Sequence, residues 1–438
     1  MKIHYDVIVV GGRVAGSHLA ARLGKYGFSV LLLERAEFPS LPAVSSPVIY
    51  SSTMRMLDEV GADESAYAHN TPKLYHMTAV GEVSARLPIP EYKGRDYAYA
   101  IDRARFDAAL WDTALGYENV DGYQGFSVTD LLWDGERVVG ITGKNKNGDV
   151  QEFTSDVVVG ADGRFGIVGR KANAEERDHF DTHPTSIYYA YWENLSHEGG
   201  IPTTAAYEGA DGTGYYAMDS ADGQTVVGVE GRADAMDLDG KKAEAFYLEM
   251  IKRNPHLWAR MENAEMVTSV RGMRNIGNSY KQAGGAGWAL VGDAYHQKDP
   301  LDGQGIYNAV VTGKALARKM LAWRKGDLTW EAMLAEYDEV ARVKTYPMYK
   351  SLQTRIKGSF YASGQPLEGV PDWAQETLGR YLLEDKEVAG LLLKILTREI
   401  PPDMITLLAP PTLVGAVARG VRDDIANTVR KRLPFFNR

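Results

Sequence analysis

Residues 6–35 read DVIVVGGRVAGSHLAARLGKYGFSVLLLER, and the order of residue types in them decides the fold. An apolar, β-branched run ends at Val10, glycines follow at positions 11, 12 and 16, and Leu19, Ala20 and Leu23 then recur at helical spacing. A second apolar run, Val30–Leu33, closes on Glu34. Buried parallel strands read as such continuous apolar runs, so the stretch predicts a strand, a tight turn, a helix and a second parallel strand. A dinucleotide-binding turn needs one glycine for the turn, one for approach to the pyrophosphate and one for helix packing. Gly11 and Gly16 fill the first and third places, while Arg13 stands in the second. An arginine there is able to pair with a phosphate oxygen. Glu34, 23 residues after Gly11, suits the two hydroxyls of a ribose.

Far downstream, WALVGDAYHQKDPLDGQGIYNA (288–309) is an apolar strand ending in Gly-Asp, then a Pro/Gly loop that opens a helix with apolar residues at Ile306, Ala309, Val310, Leu316, Ala317 and Met320. Asp293 is placed to accept from a ribityl hydroxyl, and N–H groups near 301–305 point a helix N-terminus at a flavin's pyrimidine edge. SDVVVGADG (155–163) is a fourth apolar strand, this one ending in Asp-Gly. Two glycine-rich turns far apart in sequence, able to meet around one dinucleotide, indicate FAD.

The rest of the chain sets limits. With 438 residues and 45% hydrophobic content it can bury a large core, and a formal charge of −9 argues against a nucleic-acid partner. Without cysteine there is no disulfide, thiolate metal site or cysteinyl-flavin link, and the scattered histidines suggest no metal centre. The start of the chain leaves no room for a signal peptide, so a cytoplasmic protein is expected, with neither a membrane span nor stable membrane association. Residues 40–100 read as irregular, and 98–115 as a helix with Arg103 and Asp107 on one face. Asn147-Gly148 marks a hairpin, and 181–265 reads as a separate antiparallel sheet rich in tyrosine. Along that sheet Tyr189 and Tyr191 share the face opposite Tyr188 and Trp192; which face looks at the flavin is not determined by the sequence. GGAGWA (284–289) precedes a strand and reads as a turn, not a second nicotinamide fold. His296 is either a base beside the flavin loop or a loop histidine bound to backbone, and Lys298 and Asp299 read as solvated or mutually paired.

With these motifs the chain, over about residues 1–345, resembles the FAD-dependent monooxygenases of the para-hydroxybenzoate hydroxylase-like class and their wider relatives, the flavin halogenases and geranylgeranyl reductases. VVGGRVAGS, YYAYW and GDAYHQKDPLDGQG are similar to a bacterial branch of FAD oxidoreductases. The resemblance implies an α/β fold: a discontinuous Rossmann-like FAD-binding domain (1–75, 97–180 and 265–345) and an inserted antiparallel-sheet substrate domain (76–96 and 181–264); beyond it, 346–438 reads as a helical C-terminal region interrupted by Pro-rich turns at Pro366, Pro371, Pro401, Pro402, Pro410 and Pro411. It implies a cofactor-binding set of Gly11, Gly12, Arg13, Ala15, Gly16, Glu34, Arg35, Arg103, Asp162, Gly163, Gly292, Asp293, Pro300, Gly303, Gln304, Gly305 and Ile306, with Tyr189, Tyr191 and Tyr216 against the substrate and no catalytic side chain assigned. Two departures stand out: Tyr307 where an asparagine is frequent, and Pro47 where the bacterial branch has histidine. The activity implied is hydroxylation of a small hydrophobic or aromatic molecule with NAD(P)H and dioxygen. Rivals are reduction of a carbon–carbon double bond in an isoprenoid-like substrate, halogenation, and a non-catalytic flavoprotein.

Overall fold

The apolar run of the first strand, His4–Val10, lies in the middle of a mainly parallel sheet, where Val7, Ile8 and Val9 are fully buried. In this computed structural model, residues 4–41, 46–80, 84–209, 212–362, 377, 381, 385–396 and 410–432 are described. Strand order is Gly284–Gly285, Trp288–Leu290, Val150–Gly160, His4–Val10, Val30–Leu33, Val120–Tyr123. All these neighbours pair parallel except the antiparallel edge piece Gly284–Gly285, which is the turn expected of GGAGWA. Strand Val150–Gly160 joins two systems. Its first half pairs antiparallel with Arg137–Lys144 in the hairpin around Asn147-Gly148, and its second half pairs parallel with the first strand. Full burial of each Val, Ile or Leu in such a strand contributes about 1.5–3 kcal/mol.

Helix Val14–Lys25 leaves the first strand through the glycine turn and packs beside helix Gly305–Arg324. Helix Arg103–Leu115 starts on Asp102, whose carboxylate accepts from the Arg105 N–H at 2.7 Å, and packs against the first helix. Helix Trp330–Ile356 begins on the Thr329 cap, runs through Pro347, and lies along Gly305–Arg324. Residues 40–100 are more regular than their sequence suggests, with helix Ser51–Asp58 and strands His76–Val80 and Ala85–Pro88. Met54 and Leu57 form the buried face of that short helix, and eight residues are too few for the apolar period to stand out.

The second sheet has the order His296–Gln297, Arg271–Lys281, Glu176–Glu193, Thr225–Arg232, Gly214–Asp219, Thr204–Glu208, His76–Val80, Ala85–Pro88. It is antiparallel apart from the parallel pair Thr204–Glu208 with His76–Val80. One face is covered by helix Ala243–Lys252: Tyr188 meets Phe246 edge-on at 5.5 Å, and Trp192 Nε1 donates to the Tyr247 hydroxyl at 2.9 Å. Because side chains alternate across a strand, Tyr189, Tyr191, Val226, Tyr216 and Met218 gather on the other face. The two sheets are joined where Trp288–Leu290 of the first is followed by His296–Gln297 of the second, so the segment between 291 and 305 runs along their junction. Among the described residues no helix is long and apolar enough to cross a membrane, and no acidic or histidine cluster could hold a metal. Pro366, Pro371, Pro401 and Pro402 lie outside the described residues.

Candidate flavin site

Parallel pairing puts the candidate turns on one edge. Val10 lies opposite both Leu33 and Gly160, and Gly160 opposite Leu290, so the residues that follow each strand end at the same level. Backbone bonds continue the sheet by one step: Gly11 N–H to Leu33 O, Glu34 N–H to Tyr123 O and Ala161 N–H to Val10 O, each 2.8 Å, and Val291 N–H to Gly160 O at 2.9 Å. Ligands of open α/β sheets bind outside such carboxyl ends.

The first turn is built by its glycines. Gly11 has φ +102°, and a Cβ at Gly16 would come within 1.7 Å of the Gly11 carbonyl oxygen, so the helix lies directly on its own turn. Glu34 is buried and already accepts from the Gly12 N–H at 2.8 Å and the Ala36 N–H at 2.9 Å. Each oxygen keeps a second lone pair for a ligand hydroxyl. Arg13 behaves differently from expectation. Its guanidinium donates to Ser40 O at 2.9 Å, Ser40 Oγ at 3.0 Å and Asp107 Oδ2 at 2.6 Å, so its side chain is committed to the protein rather than held for a phosphate. Asp107 is 0% exposed and also pairs with Arg103 at 2.9 Å, which fixes both arginines in one buried cluster. Gly12 is covered by the Trp111 ring, and Arg35 is exposed beside Glu34.

The second half is less complete in itself. Helix Gly305–Arg324, like helix Val14–Lys25 at the first turn, starts without a side-chain cap or an acidic residue in its first turn, so its N–H donors and positive dipole end face the crevice. Gly292 touches Ala15, where an added Cβ would come within 2.8 Å, and its N–H donates to Thr312 Oγ1 at 3.0 Å. The turn is thereby tied to both helices. Asp293 accepts no hydrogen bond from the described residues; burial pushes its carboxyl up, while Arg164, Lys298 and Arg103 pull it down. Asp162 accepts from the Val168 N–H at 3.0 Å and keeps a buried oxygen with no partner, and burial pushes its carboxyl up as well. Gly163 forms the turn beside it, with its carbonyl accepting from Gly166 at 3.0 Å. In the loop that follows, Pro300 O accepts from Gly303 N–H at 2.8 Å, Lys298 binds Asp302 at 3.0 Å and donates to Gln304, and Ile306 is buried. A Cβ at Gly305 would meet nothing within 4 Å, which leaves open space in front of the helix start.

Lys298 and Asp299 depart from expectation: both are buried, and they pair with other partners. Asp299 is held by Thr185, by the Leu301 N–H at 2.9 Å and by Asn278 Oδ1, to which its own N–H donates at 2.6 Å. His296 is 0% exposed and stacked on Tyr280 with centroids 3.8 Å apart, and burial holds its imidazole well below its ordinary value. Its Nδ1 lies 3.4 Å from the Ser279 carbonyl oxygen, and its Nε2 is buried without a partner among the described residues. Asn308 was not foreseen. Its side chain is buried with Oδ1 unmet, one position beyond Tyr307 on the inner side of the helix. The signal was present as an amide in an otherwise apolar helical stripe.

Tyr189, Tyr191 and Tyr216 come together on one sheet face. On the same face of that strand Thr185 donates to Asp299, in the loop before helix Gly305–Arg324, which turns this face toward the crevice. Tyr216 covers Gly228, where a Cβ would lie 2.0 Å from its ring.

These residues fit FAD: a dinucleotide turn with a ribose acceptor and an uncapped helix start at one end, and at the other a second uncapped helix start, a carboxylate and an amide oxygen unmet among the described residues, and open space. The chain matches the family described as FAD binding domain over residues 4–345. It is 28% identical over 353 residues to digeranylgeranylglycerophospholipid reductase 2 of Methanococcoides burtonii, covering 78% of this chain and 81% of that one. Among solved structures, a flavin-dependent brominase, Bmp2, superposes with a TM-score of 0.76 at 20% identity, covering 96% of this chain and all of that one. A geranylgeranyl bacteriochlorophyll reductase-like protein of Thermoplasma acidophilum superposes with a TM-score of 0.65 at 20% identity over 98% of each chain.

Proposed function

The chain belongs to the FAD-binding-domain family of oxidoreductases, and from that premise we propose that it is a monooxygenase using NAD(P)H and dioxygen to hydroxylate a small hydrophobic or aromatic molecule. Bound FAD would supply the electron-transfer chemistry, which no side chain offers. The protein's residues bind, orient and exclude water. Glu34 would hold the ribose and the start of helix Val14–Lys25 the pyrophosphate. Asp293 and Asn308 would take ribityl and ring-edge groups, and the start of helix Gly305–Arg324 would stabilise negative charge on the reduced ring.

The observation that carries the reading is the face formed by Tyr189, Tyr191, Tyr216 and Val226. It is a largely apolar wall, suited to aromatic packing, on the crevice side of the substrate sheet. Its phenols stay neutral, since burial pushes Tyr191 and Tyr216 above their ordinary value. The test is NAD(P)H oxidation with oxygen uptake, stimulated by a candidate aromatic and yielding a product heavier by one oxygen atom.

A second reading is favoured by the likeness to a digeranylgeranylglycerophospholipid reductase over 78% of the chain: saturation of a double bond in an isoprenoid-like substrate on the same wall. The same assay separates the two, because reduction adds two hydrogens to the product and consumes no oxygen.

A further inference from the structure

Strand Thr225–Arg232 alternates Val226, Gly228 and Glu230 on the crevice face of the substrate sheet. Glu230 is a carboxyl in that apolar row, 3% exposed, with Oε1 meeting no hydrogen-bond donor. Glu230 pairs with Ile187, two residues from Thr185 on the same face of the neighbouring strand, and the Thr185 hydroxyl donates to Asp299, so the strand register brings the Glu230 carboxyl to the fully buried Asp299. Asp299 is already supplied with donors by Thr185 and the Leu301 N–H. Two carboxylates in contact, both out of water, present only acceptors to each other, and such a pair does not ionise twice.

We propose that Glu230 and Asp299 share one proton, and that this neutral–ionised carboxyl pair is the clasp that holds the loop Asp299–Gly305 against the substrate sheet. Glu230 is then a positioning residue. Its O–H is given to Asp299, Asp299 in turn orders Leu301, and the loop so held leads into the start of helix Gly305–Arg324. The charges acting on Glu230 come from every side of this junction. Asp299 and Asp302 act from the loop, Tyr216 lies on the neighbouring strand, and Arg355 of helix Trp330–Ile356 is solvent-exposed. Asp302 is itself neutralised by Lys298 at 3.0 Å. Burial is the main force pushing the Glu230 carboxyl well above the usual range, with the Asp299 charge next.

A carboxyl whose folded-state pKa is raised binds more protons folded than unfolded between the two pKa values. Its stabilisation is complete below about pH 4.5 and is lost as pH rises through the folded value. The test is denaturant unfolding of the full-length, FAD-loaded protein and its Glu230→Gln variant from pH 5 to about 9. Gln keeps a donor toward Asp299 and does not titrate. The ratio of wild-type to variant unfolding constants should rise by up to tenfold per pH unit (about 1.36 kcal/mol) until the folded value is passed. In parallel, the infrared difference between wild type and Glu230→Gln at pH 7 should contain the carbonyl band of a neutral carboxylic acid. If Glu230→Gln does not fold, Glu230→Leu carries the same prediction, because it too removes the group that titrates. A flat ratio and no acid band would overturn the shared proton. FAD titration by fluorescence tests the clasp and rests on the reading of this loop as the flavin loop, though not on turnover. The dissociation constant should rise through the same pH midpoint in the wild type and stay level in the variant. A shared proton without that rise would overturn the clasp.

Discussion

The two ends of the crevice are built differently. At the Gly11–Glu34 end the polar groups already have partners: Glu34 accepts from Gly12 and Ala36, and Arg13 and Arg103 close on Asp107. At the Asp293–Asn308 end, Asn308 Oδ1 is buried and, like the Asp293 carboxyl, accepts no hydrogen bond from the described residues. Buried polar atoms without partners cost free energy. The first end is therefore a preformed cradle whose shape selects a dinucleotide, while the second gains its hydrogen bonds from the ligand.

Substitutions should separate the ends, the largest effect falling on the cradle. Gly16→Val has no room, since even a Cβ would sit 1.7 Å from Gly11 O. It should cost about 3 kcal/mol or more of stability in denaturant unfolding and abolish FAD binding. A folded Gly16→Val protein with normal FAD content would show that the turn is not closed as described. Gly305→Val fills open space in front of a helix start and should displace donors from the reduced flavin. One such donor is typically worth roughly 2.7–4 kcal/mol, so the reduction potential should fall and turnover drop by about two orders of magnitude in the FAD-bound fraction. An unaltered potential would mean that this helix does not face the ring. Glu34→Ala should weaken FAD binding by about 1–3 kcal/mol, read by equilibrium titration. The smallest effect is the sharpest test of the contrast: Asn308→Ala should lower FAD affinity by about 0.5–1.5 kcal/mol while leaving the apo protein as stable as before or more so. Equal loss in apo and FAD-bound forms would contradict the idea that Oδ1 waits for the ligand.

The same contrast explains what could be read from the sequence. The cradle is local: strand, glycines, helix and acidic residue lie within 6–35, and each type has one physical use there. The Asp293 and Asp162 turns were legible because each ends an apolar strand. The placement of Arg13 was not, since its partner Ser40 comes from the loop after the second strand and Asp107 from the helix 103–115, and no local pattern encodes that meeting. Lys298 and Asp299 looked solvated because charged residues in a Pro/Gly loop usually are; their burial follows from the junction of two sheets, a long-range event. For the tyrosines, period-two alternation separated the faces, but only the helix 243–252 closing over Tyr188 and Trp192 decided which face remained for the crevice. Asn308 was not legible because a single amide in an apolar helical stripe does not show whether it will be buried.

The central claim is that two distant turns hold the two ends of one FAD. Calorimetric titration of FAD and of ADP into the apo wild type, Glu34→Ala and Asp293→Ala tests it most directly. Glu34→Ala should weaken both ligands by similar factors, whereas Asp293→Ala should weaken FAD and leave ADP untouched. If Asp293→Ala left FAD affinity unchanged, or weakened ADP as much as FAD, the two turns would not be gripping opposite ends of the same molecule.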